Sequence, residues 1–258
     1  MNNHEIDYKL FGEEMQCVEI ELDPQEAVIA EPGSFMMMTD GIQMQTLFGD
    51  GNNTGFMSKL FTAGKRLLTG ENLFMTVYTN NSNQKRQVTF AAPYAGKIIP
   101  MNLAQLGNKI ICQKNSFLCA ANGVSIGIEF QKKLGTGLFG GEGFIMQKLE
   151  GDGMAFVHSG GHVIEKQLQA GEILKVDTGC IVAFTSNVNY DIQFVGGIKN
   201  TLFGGEGVFY ASLQGPGKVW IQTLPISRLA SRILSYGTGS RKEEGSILGG
   251  LGNLLDGD

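Results

Sequence analysis

The 258 residues are 42% hydrophobic and only 17% charged, with 37 glycines and 6 prolines. That much apolar content excludes a disordered chain, and high Gly with low charge suits an all-β protein with many tight turns. A net charge of −5 argues against nucleic-acid binding, which needs clustered Lys and Arg to displace counterions.

The first ten residues, MNNHEIDYKL, carry two acids and no apolar core, so no signal peptide is predicted. No apolar run of about 18 residues follows, and the expected location is the cytoplasm. Val18, Ile20 and Leu22 alternate with Glu19 and Glu21, the period of a strand with one buried face. Cys17, Cys112, Cys119 and Cys180 make no C-x-x-C pair and lie in segments that read as strand. Buried free thiols in a reducing compartment are expected.

Further on, EPGSFMMMTDGIQM (31–44) ends in an Asp-Gly turn, and QKNSFLCAANGVSI (113–126) matches it 82 residues later. TGENLFM (69–75) matches GGEGFIM (140–146) at a spacing of 71, so the earlier copy carries 11 extra residues between the two landmarks. The extra residues fall in GFMSKLFTAGKRLL (55–68). There Phe56, Leu60, Ala63 and Leu67 follow helical spacing beside Lys59, Lys65 and Arg66, predicting a short helix over about 56–68. It either caps the fold or rests, as a basic amphipathic helix, weakly on an anionic membrane surface or on a partner.

The segment 107–158 matches 171–222 without a gap at a spacing of 64, and LFGGEG recurs at 138–143 and 202–207. These matches predict three tandem β-sandwich-like units, roughly 15–95, 96–160 and 161–224, in one pseudo-threefold body over 1–224. Pro225 opens a predicted helix over 225–236, with Ile226, Leu229, Ala230 and Ile233 on one face and Gly237 to close it. A Gly-rich, flexible tail is expected over 237–258.

EPGSFMMMTDGI, GKRLLTGENLFM, FAAPYAGKIIPMNL and the two LFGGEG segments, taken in order, resemble the altered-inheritance-of-mitochondria family, a widespread group of uncharacterised bacterial proteins. Its eukaryotic members are mitochondrial, but no targeting segment is visible here, so that role is not expected of this chain. The resemblance implies a fold similar to the ring-forming tryptophan RNA-binding attenuation protein, a double-stranded β-helix-like architecture with three units per chain. It brings no catalytic residues.

Several motifs invite chemistry. Gly140, Gly141, Glu142, Gly143 and their counterparts Gly204, Gly205, Glu206, Gly207 lack the Walker lysine and lead into strands, so they read as structural turns and not as a phosphate cradle. His158, His162 and Glu165 in HSGGHVIE are candidate metal ligands, set against a plain surface hairpin around Gly-Gly. Trp220 is expected in a core. No catalytic triad or cofactor motif is evident.

The expectation is therefore a non-enzymatic, self-assembling β-repeat scaffold or interaction protein, needing no cofactor and forming a cyclic homo-oligomer, most simply a trimer. The alternative is a small-molecule binding module that uses clefts between repeats or subunits.

Overall fold

The computed structural model describes residues 5–48, 68–69, 74–132, 144–194 and 209–239. In chain order these form β1 (Asp7–Phe11), β2 (Cys17–Leu22), β3 (Ala27–Ala30), β4 (Phe35–Met38), β5 (Ile42–Phe48) and β6 (Leu68–Thr69). Then come β7 (Phe74–Asn80), β8 (Arg86–Ala91), β9 (Gly96–Asn102), β10 (Lys109–Gln113), β11 (Phe117–Ala121), β12 (Ser125–Lys132), β13 (Phe144–Glu150) and β14 (Met154–Gly160). The last are β15 (Val163–Leu168), β16 (Ile173–Asp177), β17 (Ile181–Thr185), β18 (Asn189–Phe194), β19 (Phe209–Gln214), β20 (Gly217–Gln222) and the helix α1 (Ile226–Gly239). The fold is all-β with one α-helix and a few 3-10 turns among the described residues.

Alternation in the sequence becomes sidedness in the strands. Val18, Ile20 and Leu22 are fully buried in β2, while Cys17, Glu19 and Glu21 are only partly so. In β18, Ile192 is buried and its neighbours Asp191 and Gln193 face solvent. Two of the predicted glycine turns are realised with φ +95° at Gly41 and +104° at Gly123, a backbone conformation that costs a residue with a Cβ about 1–2 kcal/mol.

The strands form four sheets, of order β1-β2-β8-β4, β5-β7-β3-β11-β14-β9, β15-β20-β17-β10-β13-β12-β6 and β16-β19-β18. Neighbours run antiparallel except for β6 beside β12. Two buried apolar clusters hold the sheets together. The larger contains Phe90, Phe117 and Phe156; the other, in the C-terminal part, contains Phe144, Phe184 and Leu213. Each such side chain contributes about 1.5–3 kcal/mol by leaving water. Among the described residues, β1 and β4 end one of the two smaller sheets, and β16 and β18 end the other.

Two expectations need correction, and a third falls almost wholly outside the described residues. The predicted helix over 56–68 lies outside the described residues except for Leu68, which is strand paired with Ile126. The C-terminal helix begins at Ile226, where Arg228 and Leu229 donate their N–H groups to the Pro225 carbonyl, but it continues through Gly237 to Gly239. Glycine costs a helix about 1 kcal/mol without forbidding it, and it ends one only by turning left-handed. Finally, Cys180 sits in a 3-10 turn (Thr178–Cys180), and Cys17 and Cys180 are half-buried; only Cys112 and Cys119 are fully enclosed, and none of the four is in a disulfide. Burial pushes the Cys112 and Cys119 thiols well above their ordinary range.

Candidate interaction surface

Strand β4 reads Phe-Met-Met-Met, yet all four side chains are exposed, Phe35 by 38%, Met36 by 54%, Met37 by 51% and Met38 by 38%. One edge of β4 is occupied by β8, with Phe35 opposite Phe90 and Met37 opposite Thr89, and a bulge between those pairs. Phe35 is steadied by stacking on Tyr78 at 5.6 Å, and Tyr78 in turn meets Phe90 edge-on at 5.1 Å. The other edge of β4 ends its sheet. Edge strands are usually protected by a charge, a proline or a cover, because their free N–H and C=O groups template pairing with another chain. β4 carries neither charge nor proline. Its three methionines are flexible, polarisable side chains of the kind that adapt to a partner surface.

Strand β16 ends another of the smaller sheets among the described residues. Its first residue, Ile173, is 57% exposed, and only Val176 of its five side chains is buried. The strand is shaped rather than frayed. Asp177 caps the following turn by accepting the Gly179 N–H at 2.8 Å, Arg228 of α1 approaches the same carboxylate at 3.5 Å, and Lys175 lies 5.2 Å over the Tyr210 ring.

The residues proposed from sequence as metal ligands are placed apart. β14 and β15 do not pair with each other as a hairpin would: β14 lies between β9 and β11, and β15 pairs with β20 in a different sheet. His158 is therefore inside the protein, 1% exposed, with Nε2–H donating to the Tyr94 carbonyl at 3.2 Å and its ring edge-on to Tyr94 at 4.4 Å. Burial lowers its pKa to about 4, so the imidazole is neutral, with Nδ1 buried and unpartnered among the described residues. His162 is exposed and donates its backbone N–H to Thr223 Oγ1 at 2.9 Å. Glu165 is exposed and engaged, accepting from Lys218 Nζ at 2.7 Å and from Trp220 Nε1 at 2.9 Å. The Lys218 ammonium, aided by the Trp220 N–H, holds its carboxyl below the usual range, against burial, which pushes the other way. Trp220 itself is core, as expected, at 4% exposure.

Sequence reasoning missed the clamp around this link. Gln222 is buried; its Oε1 accepts the Gly160 N–H at 2.7 Å and its Nε2 donates to the Gly179 carbonyl at 2.8 Å. Gly161 N–H donates to Ala95 O, and Leu224 N–H to Gly160 O. Nothing local marks Gln222, because its partners lie 62 and 43 residues away. The site ties backbone segments together; it does not gather ligands. Gly140, Gly141, Glu142, Gly143, Gly204, Gly205, Glu206, Gly207, Lys59, Lys65 and Arg66 lie outside the described residues, while β13 and β19 follow the two LFGGEG words as strands, as predicted. A shallow depression elsewhere, lined by Asp7, Tyr8, Lys9, Glu19 and Glu21, lies on β1 and β2.

Residues 8–224 match the family model described as mitochondrial biogenesis AIM24. An uncharacterised protein of Streptococcus pyogenes serotype M6 is 26% identical over 221 residues, which cover 85% of this chain and 86% of that protein. A crystal structure of a Streptococcus pyogenes protein aligns with a TM-score of 0.70 at 21% identity, covering 90% of this chain and 100% of that one. At that identity the likeness is one of fold. No helix among the described residues is long and apolar enough to cross a membrane.

Proposed function

This chain belongs to the mitochondrial biogenesis AIM24 family, and we propose that it acts as a non-enzymatic, self-assembling scaffold or interaction protein built from three copies of one β unit. The proposed units are β2 to β8 without β6, β9 to β14, and β15 to β20. What supports the repetition is register. Ala27 lies opposite Thr79 in the first unit, Lys109 opposite Glu150 in the second and Ile173 opposite Gln214 in the third, at the spacings of 82, 71 and 64 found in the sequence. One bulge also recurs, between Phe35 and Met37, between Phe117 and Cys119, and between Ile181 and Ala183. A bulge is an irregular feature, so its return at matched positions favours copies of one unit over three unrelated hairpins.

The observation that carries self-assembly is β4, an uncharged apolar strand exposed on both faces at a sheet edge. The non-enzymatic reading is supported by how the described polar groups are used. His158, Glu165 and Gln222 each close a structural bond, whereas active sites cluster perturbed ionisable groups around a cleft. A cyclic homo-oligomer, in the simplest case a trimer, in the reducing cytoplasm fits these features and the four cysteines outside any disulfide. Light scattering on the purified full-length protein tests the reading. A mass that is a whole multiple of 27.9 kDa at micromolar concentration is expected; a monomer would contradict it.

A further inference from the structure

The repeated unit joins its neighbour in a fixed way, and the chain contains that joint twice. β3 of the first unit pairs with β11 of the second, with Ala30 opposite Cys119, Ile29 opposite Ala120 and Val28 opposite Ala121. β10 of the second unit pairs with β17 of the third, with Cys112 opposite Ala183, Ile111 opposite Phe184 and Ile110 opposite Thr185. At the spacings of 82 and 64 these are the same three pairs. Each joint fuses two three-stranded half-sheets: β5-β7-β3 with β11-β14-β9, and β12-β13-β10 with β17-β20-β15.

The two smaller sheets are the halves left over. β16-β19-β18 is the half that the third unit offers forward, and β4-β8-β2, flanked by β1, is the half that the first unit offers backward. Burial marks the difference. β11 and β17, which have a neighbour on that edge, are buried at every position, whereas β4 is exposed at every position. β3 is likewise fully buried, and its counterpart β16 is mostly not. The bulge that fits β11 and β17 to their partners is already present in β4. β4 and β16 belong to separate sheets within the chain, so the two halves do not join each other there.

We infer that β4 of one molecule pairs, antiparallel, with β16 of a second copy of this chain, completing the third joint. This rests on the three-unit reading above and names its partner surface. Carrying the register across gives Met37 opposite Val176, Met38 opposite Lys175 and Thr39 opposite Leu174. The two edges are different, so the contact is head-to-tail and repeats from copy to copy until a ring of whole chains closes. It buries β4, whose apolar side chains face water on both sides of the sheet, and it pairs two strands that end their sheets among the described residues.

Engineered cysteines test this in the full-length protein. Neighbouring antiparallel pairs alternate in Cα spacing, so of the two double variants M38C/K175C and M37C/V176C at least one has a separation a disulfide can span. Upon oxidation that variant is expected to form chain-linked dimers and larger species on a non-reducing gel, while each single variant runs as one chain. A second variant pair, M37E and M38E, is expected to give a folded monomer by circular dichroism and light scattering. A linked dimer from M38C alone would mean that two β4 edges meet symmetrically and would overturn the inference. So would a monomer-sized, internally bridged product, or an oligomer that neither double variant links. Those results leave self-assembly standing, whereas a monomeric wild-type protein would overturn both.

Discussion

His158 donates its Nε2–H to the backbone carbonyl of Tyr94 at 3.2 Å and meets the Tyr94 ring edge-on, so the imidazole is held neutral inside the sheet. Its pKa falls from 6.5 to about 4 because burial penalises the charged ring, partly opposed by the hydrogen bond. The unfolded chain takes up this proton below about pH 6.5, and the native protein resists it down to about pH 4. The contribution is therefore fully present above 6.5 and is lost as pH falls through that window, by up to roughly 3 kcal/mol. Urea denaturation of H158F between pH 4 and 7 should show a flatter dependence than wild type. Equal slopes would mean that His158 does not titrate as described.

Gly160 lies opposite Gly96 across β14 and β9, and neither has room for a side chain. A Cβ on Gly160 would collide with the Leu224 carbonyl oxygen and the Tyr94 ring, and one on Gly96 with the Ser159 carbonyl oxygen. Overpacking of this kind typically costs about 1–3 kcal/mol. G160A should lower the unfolding free energy by about that much. G171A, where space is open and only the positive φ resists, should cost nearer the lower end.

Gln222 satisfies two distant backbone groups, the Gly160 N–H and the Gly179 carbonyl. Truncation to Ala leaves both buried without a partner, at about 1–3 kcal/mol each. Q222A is expected to be among the most damaging single polar substitutions in the protein. A loss under about 1 kcal/mol by equilibrium unfolding would show that the clamp is dispensable.

Glu165 is bound to Lys218 on the surface and to the indole of Trp220. E165Q keeps an acceptor for the indole and loses only an exposed ion pair, so stability should change by less than about 1 kcal/mol. E165A also frees the Trp220 N–H. Trp220 is the only tryptophan, so its emission should shift in E165A and hold steady in E165Q. Identical spectra for both variants and wild type would place the indole outside the influence of Glu165.

Much of the fold was legible in the sequence, but the surface was not. Alternation at Val18, Ile20 and Leu22 and the spacing of 64 between matched segments depend on neighbouring residues, and the strands follow them. The exposure of β4 does not depend on neighbours in sequence. Phe-Met-Met-Met reads as a buried strand, like Phe-Leu-Cys-Ala-Ala in β11, yet β11 lies between β3 and β14 whereas β4 has only β8 beside it among the described residues. His158 misled in the opposite sense. HSGGH has the composition of an exposed turn, yet β14 runs between β9 and β11, and that placement is set by residues more than 30 positions away. The Gln222 clamp was invisible for the same reason.

If β4 of one molecule pairs with β16 of the next, both are interior strands in the assembled protein. Hydrogen exchange resolved to single segments measures this directly, because amides on an open edge exchange far faster than those in a paired strand. In a dilution series, the amides of residues 36–39 and 173–177 should gain protection together as concentration rises, approaching that of β11 and β3, while β11 itself does not change. Fast exchange in β4 at every concentration, in a protein whose mass shows that it has assembled, would mean that β4 stays an open edge and the copies meet elsewhere.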